Sequence, residues 1–127
     1  MIVRSDLPAG SAAAQIVHAA GESSPGDLPS GTFAVVLSVP TELGLRAVAA
    51  RLTAAGLPFV EIVESDEPYS GQLMAIGVRP VLRSIARKAM SSLPLYRGPA
   101  SAGVPERGGS KPAPAPGGVV QLKSAVA

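Results

Sequence analysis

The segment that most limits the possible folds of this chain is residues 32–39, Thr-Phe-Ala-Val-Val-Leu-Ser-Val. It is almost continuously apolar, and Pro40 ends it. Strands with apolar residues on both sides are typical of sheets that are covered by helices on both faces. We therefore predict a strand at 32–39 that is buried on both faces, within a layered α/β domain.

The remaining segments alternate between strand and helix patterns. In chain order, they predict a strand at 1–4, a helix from 12 to about 20 or 22, a helix from 42 to 55, strands at 59–63 and 72–78, and a helix from Pro80 to about Met90. Ser11 and Thr41 are of the residue types that cap the first two helices. The apolar residues of the third helix, Leu82, Ile85, Ala86 and Ala89, predict its buried side.

The order β-α-β-α-β-β-α predicts one three-layer α/β domain, with a mixed four-stranded sheet and helices on both faces. The seven residues 64–70 are too few for a parallel crossover, so the third and fourth strands should be antiparallel neighbours. We assign this domain to residues 1–97. Residues 98–127 are rich in Gly, Pro and Ala and are predicted to be a disordered tail.

The amino-acid composition excludes several kinds of reactive and structural site. The chain has no cysteine, so disulfides, thiolate zinc sites and a cysteine nucleophile are excluded. No apolar run approaches the roughly 20 residues of a membrane span. These features predict a cytoplasmic protein without a membrane partner.

Charge is unevenly distributed, although the net charge is only +2. Four acids lie between Glu61 and Glu67, and five basic residues with no acid lie between 79 and 97. Arg79, Arg83 and Arg87 are spaced by four, so a helix would place them on one exposed side. This row has two interpretations: it contacts RNA phosphates, or it is an ordinary solvated helix face.

The alanine-rich helix carries a polar pair, Gln15 and His18, three residues apart on one face. His18 is the only histidine in the chain, and histidine is the residue type that most often serves as a general acid or base. The pair is either a set of satisfied structural residues or part of a reactive site.

Two motifs in this order resemble the type 2 peptidyl-tRNA hydrolase family. They are Ala14-Gln15-Ile16-Val17-His18-Ala19 and Gly71-Gln72-Leu73-Met74-Ala75-Ile76-Gly77-Val78-Arg79-Pro80. The resemblance covers roughly residues 1–95. It implies a mixed four-stranded sheet between helices and hydrolysis of the ester between a peptide and the 3′ ribose of tRNA. It also implies no metal or organic cofactor, and a possible homodimer.

The resemblance assigns several residues to the site. Ser11 stands where the family has a substrate-binding lysine, and Glu64 falls on the family's aspartate. Ser70, Tyr69 or Asp66 could replace its threonine. Arg79, Arg83 and Arg87 would hold the acceptor stem of tRNA.

Ester hydrolysis needs a base that activates water and donors for the developing oxyanion. His18, Glu64 and Asp66 are the candidate bases. Gln15, Ser70, Tyr69 and the helix start near Ser11 are the candidate donors. The alternative is a non-catalytic member of the same fold that binds RNA or a protein, and a third possibility is a hydrolase of another small ester or amide.

Overall fold

The computed structural model describes residues 1–100, which contain three helices and a four-stranded open sheet. The elements are β1 (Ile2–Arg4), α1 (Ala9–Ser23), β2 (Leu37–Val39), α2 (Glu42–Ala54), β3 (Phe59–Val63), β4 (Leu73–Val78) and α3 (Arg83–Met90). The predicted α/β class and the predicted order of elements are confirmed. The prediction of a disordered tail concerns mostly residues 101–127, which lie outside the described part.

The sheet is mixed, with the strand order β2-β1-β4-β3. β1 and β2 are parallel, whereas β4 runs antiparallel to both β1 and β3, as predicted for β3 and β4. The register places Arg4, Val63 and Leu73 at one end of the sheet, which we call the Arg4 end. The other end carries Phe59 and Val78, and we call it the Val78 end.

Each face of the sheet is covered by one of the two long helices. α1 contacts β1, β3 and β4, and α2 contacts β1, β2 and β4. The buried residues of β4 divide between the two sides of the sheet: Leu73 and Ile76 pack on the α2 side, and Met74 and Ala75 pack on the α1 side. The apolar stripe of α2 is buried as its spacing predicts; its residues are Leu45, Val48, Ala49 and Leu52.

The buried stripe of α1 consists mainly of small residues. Ala12, Gln15, Ala19 and Ser23 are its buried positions. Small side chains let the helix backbone approach β4 closely at Gly77. A Cβ on this glycine would meet the main-chain oxygen of Ala19 and lie 2.7 Å from Cβ of Ser23. Gly77 is therefore required by packing.

The strand predicted at 32–39 is correct only for its last three residues. β2 is Leu37–Val39, while Phe33 is 89% exposed and Val35 is also exposed. β1, the strand beside β2, is only three residues long, so it pairs only with residues 37–39. The apolar residues before Leu37 have no strand to pair with and form a surface segment.

The first helix begins earlier than the sequence pattern predicts, and Ser11 does not cap it. α1 starts at Ala9 with Pro8 as the N-cap, and no side chain caps the helix. The φ of Pro8, −55°, suits a helix start, and the amide of Ala12 donates to the oxygen of Pro8. Ser11 therefore lies inside the first turn.

The predicted buried side of α3 is wrong. No residue of α3 is buried, and Leu82, its N-cap, is 72% exposed. Pro80 precedes the helix. Ala89 and Met90 only flank the α2-side core, and Arg51 of α2 donates a hydrogen bond to the main-chain oxygen of Ala89. The apolar side of α3 forms part of a groove.

Residues 94–100 form hydrogen bonds with β2 and with the turn that follows β1. The amide of Ser38 donates to the oxygen of Pro94, and Leu95 forms an isolated antiparallel bridge with Leu37. The amide of Ala100 donates to the oxygen of Ser5 at 2.9 Å. Within residues 1–100, the helices are too short and too polar to cross a membrane.

Candidate functional site

A group of polar side chains lies at the Arg4 end of the sheet, and we call it the polar cluster. β1 supplies Arg4, and α1 supplies Gln15. The β1–α1 turn and the β3–β4 connection supply the rest, which are Asp6, Glu64, Tyr69 and Gln72. Because three strands terminate here, residues far apart in sequence come together.

The central contact joins the first helix to the acidic connection. Nε2 of Gln15 donates a hydrogen bond of 2.9 Å to Oε2 of Glu64, across 49 positions of sequence. Gln15 is only 7% exposed, whereas Glu64 is half-buried. Both residues were predicted to belong to one site, and in the structure they are in direct contact.

The Glu64 carboxylate is held by its own turn as well. Its Oε1 accepts from the amide of Ser65 at 2.9 Å and from the amide of Asp66 at 3.3 Å. A carboxylate has about four acceptor positions. With three of them occupied, the group is fixed in orientation and one position on Oε2 is still available to water.

The contact between Gln15 and Glu64 leaves the other polar atom of the Gln15 amide without a partner, which costs folding free energy. Its Oε1 is buried and has no hydrogen-bond partner within the described residues. A buried acceptor without a partner costs about 1–3 kcal/mol. Rotating the amide would turn Oε1 toward the acceptor oxygens of Glu64 and lose the hydrogen bond from Nε2, so the carboxylate keeps the amide in its present orientation.

Arg4 is the other anchor of the polar cluster. Its Nε and Nη2 each donate to the Asp6 carboxylate at 2.9 Å, and its Nη1 donates to Oε1 of Gln72 at 2.8 Å. The guanidinium lies 6.0 Å from the centre of the Tyr69 ring. The hydrogen bond to Asp6 raises the pKa of Arg4, so this buried group remains a fixed positive charge.

The other predicted site residues are placed more loosely. His18 is exposed on α1, about 60° around the helix from Gln15, and its side chain forms no hydrogen bond within residues 1–100. Ser70 and Asp66 are exposed on the β3–β4 connection, and Ser11 is half-buried in the first turn of α1. The structure thus joins Gln15 to Glu64 directly but does not bond His18 to either.

The arginine row lies at the opposite end of the sheet. Arg79 follows β4, and Arg83 and Arg87 belong to α3; all three are exposed. Gln72 and Arg79 are separated by the length of β4, roughly 23 Å at about 3.3 Å per residue. Any ligand that contacts both the polar cluster and this row must span that distance.

Glu42, the first residue of α2, connects this helix to Leu73, the first residue of β4. Its Oε1 accepts from the amide of Leu73 at 3.0 Å, and also from the guanidinium of Arg46 at 2.7 Å. The bond from Leu73 and then the bond from Arg46 lower the pKa of Glu42.

This lowered pKa predicts a loss of stability in acid. The contribution of ionised Glu42 is complete above the ordinary glutamate pKa of about 4.3, and it declines as the pH falls through the lower folded-state value. In urea titrations between pH 7 and pH 3, wild type should lose more unfolding free energy than Glu42→Gln. Glu61→Gln, at an exposed strand position, should decline like wild type. Parallel curves for Glu42→Gln and wild type would contradict this assignment.

Asp6 and Gln72 are members of the site that were not predicted from the sequence. A charged arginine inside a short apolar strand, followed two residues later by an aspartate, was the available signal, because buried charges require partners. No group of His, Asp and Glu side chains within residues 1–100 has the arrangement of a metal site. The chain matches no protein-family model, and the search of curated proteins found no match.

Proposed function

We propose that this protein is a peptidyl-tRNA hydrolase-like esterase, which cleaves the ester between a peptide and the 3′ ribose of tRNA. The hydrogen bond of 2.9 Å between Gln15 and Glu64 carries the proposal. It joins the helix and the acidic connection that the family resemblance assigns to one site, and it presents an oriented carboxylate to solvent.

In this mechanism, Glu64 accepts a proton from a water molecule, and the resulting hydroxide attacks the ester carbonyl. The tetrahedral intermediate carries its negative charge on the former carbonyl oxygen. The hydroxyl groups of Tyr69 and Ser70, on the same connection, are the donors for that oxyanion. Collapse breaks the bond to the ribose 3′ oxygen, which takes the proton, and a peptide acid and a free tRNA result.

The distance between the two ends of the sheet is compatible with a tRNA substrate. A tRNA whose acylated end lies at the polar cluster would reach the exposed Arg79, Arg83 and Arg87, roughly 23 Å away. Their positive charges would bind its phosphates and make the affinity depend on salt.

A non-catalytic RNA-binding protein is the second candidate. The exposure of His18 and its lack of a bond to Glu64 favour this candidate, because the only histidine then takes no part in the polar cluster. Under this alternative, the function would be RNA binding by Arg79, Arg83 and Arg87, without catalysis.

The test is release of tRNA from an N-acetylated aminoacyl-tRNA by the purified full chain. We expect first-order loss of the ester well above the rate without protein, and little loss of a small ester that lacks tRNA. His18→Ala should slow the reaction only if the exposed imidazole contacts the substrate. Binding of tRNA without turnover would replace the esterase by the RNA-binding candidate, and equal turnover of small esters would indicate a different hydrolase.

A further inference from the structure

A groove of about 1020 Å³ opens at the Val78 end of the sheet, away from the polar cluster. The end of α1, the connection 28–35 and the start of α3 form its walls. This volume is slightly above the usual range for pockets that bind small molecules, about 300–1,000 Å³.

The groove has an apolar interior and a basic rim. Phe33, 89% exposed, lies in it together with the exposed Leu28 and Leu82. Arg79 and Arg83 line it, and no acidic residue within the described part does so. The ion pairs among residues 1–100 involve other arginines, so these two guanidinium groups have no carboxylate partner.

We propose that this groove binds unpaired nucleotides of RNA, with a base stacked on Phe33 and phosphates on Arg79 and Arg83. The proposal rests on the proposed function for its choice of RNA as the partner. Proteins bind single strands through a positive groove and an aromatic ring on which a base stacks. Apolar side chains beside the ring also suit an unstacked base.

Other occupants fit the charges less well. Residues 101–127 contain three basic residues and one acid, so they have the same sign as the rim. A second copy would bring a like-charged rim against this one if the grooves faced each other. An acidic peptide matches the sign, but the basic surface continues outside the groove along α3 through Arg87 and Lys88, as an extended phosphate backbone requires.

The experiment measures binding of a fluorescent oligouridine and of a tRNA transcript to the full chain. Phe33→Leu removes the ring and keeps an apolar side chain, and it should weaken oligouridine binding about 5- to 150-fold. Phe33→Tyr should bind like wild type. Leu43→Ala, at an exposed position on α2 outside the groove, is the matched control and should also bind like wild type. Because Phe33 is exposed, equal melting temperatures are expected.

Replacing Arg79 or Arg83 should change the salt dependence of RNA binding. Arg79→Gln and Arg83→Gln should each reduce the slope of log affinity against log salt concentration by about 0.7, whereas Phe33→Leu should leave the slope unchanged. Unchanged oligouridine affinity in Phe33→Leu would overturn the proposal. So would tight binding of an acidic leucine-containing peptide that RNA does not displace.

The outcome separates this inference from the proposed function. Phe33-dependent RNA binding without ester hydrolysis would keep the groove and remove the esterase. Hydrolysis of acylated tRNA with RNA binding independent of Phe33 would keep the esterase and remove the groove.

Discussion

Glu64→Gln should lower the rate of tRNA release by about 10²- to 10⁴-fold, the usual contribution of a positioned general base. Glutamine has the volume of glutamate, and its carbonyl oxygen can still accept from the amides of Ser65 and Asp66. Rotation of the Gln15 amide would let its Oε1 accept from the new side chain. The protein should therefore stay folded while it loses the group that takes the proton.

The kinetic measurement should separate chemistry from binding. With kcat and KM determined on the same N-acetylated aminoacyl-tRNA, the loss is expected in kcat, because Glu64 acts on water rather than on tRNA. Glu67→Gln is the matched control, since Glu67 lies on the same connection and is exposed. A fall in kcat no larger in Glu64→Gln than in Glu67→Gln would show that Glu64 is not the base.

Gly77→Ala should destabilise the fold by about 3 kcal/mol or more, at the upper end of the cost of overpacking. The added methyl would meet the main-chain oxygen of Ala19 and would lie 2.7 Å from Cβ and 2.8 Å from Oγ of Ser23. Removing the Ser23 side chain would relieve only part of the clash, because the oxygen belongs to the backbone of α1. The helix must move away from β4, and the packing on the α1 side of the sheet must loosen.

Gly21→Ala is the control for this prediction. Gly21 lies on the exposed side of the same helix, and a Cβ there has nothing within 4 Å. Alanine in a helix is favoured over glycine by about 0.5–1 kcal/mol, so this variant should be slightly more stable than wild type. Thermal unfolding should show a Tm lowered by about 12 °C or more for Gly77→Ala and unchanged or raised for Gly21→Ala. A normal Tm for Gly77→Ala would mean that α1 and β4 are not in close contact.

Local patterns predicted most of the secondary structure correctly. The stripe of Leu45, Val48 and Leu52 repeats at helical spacing, and Thr41 accepts from the amide of Gly44, as an N-cap does. The short connection between β3 and β4 allowed only an antiparallel pair. These inferences succeeded because they depend on neighbours in sequence.

The errors occur where distant partners decide the outcome. Thr32 to Val36 have strand-forming residues, but β1 is too short to pair with them. Leu82 and Ile85 have the spacing of a buried face, yet both side chains are exposed. Apolar spacing indicates which residues could be buried; it does not show whether another element is there to bury them.

The candidate site likewise contains some residues that were predicted from the sequence and others that were not. Gln15 and Glu64 were predicted to share a site, because their residue types and order along the chain resemble a known family. Asp6 and Gln72 were not predicted, because their roles depend on where the Arg4 guanidinium lies.

Residue order was therefore sufficient for the α/β class, the antiparallel β3–β4 pair and two members of the candidate site. Three-dimensional packing established the close approach of α1 to Gly77, the partners of Arg4 and the separation of the arginine row from the polar cluster. The physical reason is range: helix spacing and turn length act over a few residues, whereas burial and ion pairing depend on groups that the fold brings together from far along the chain.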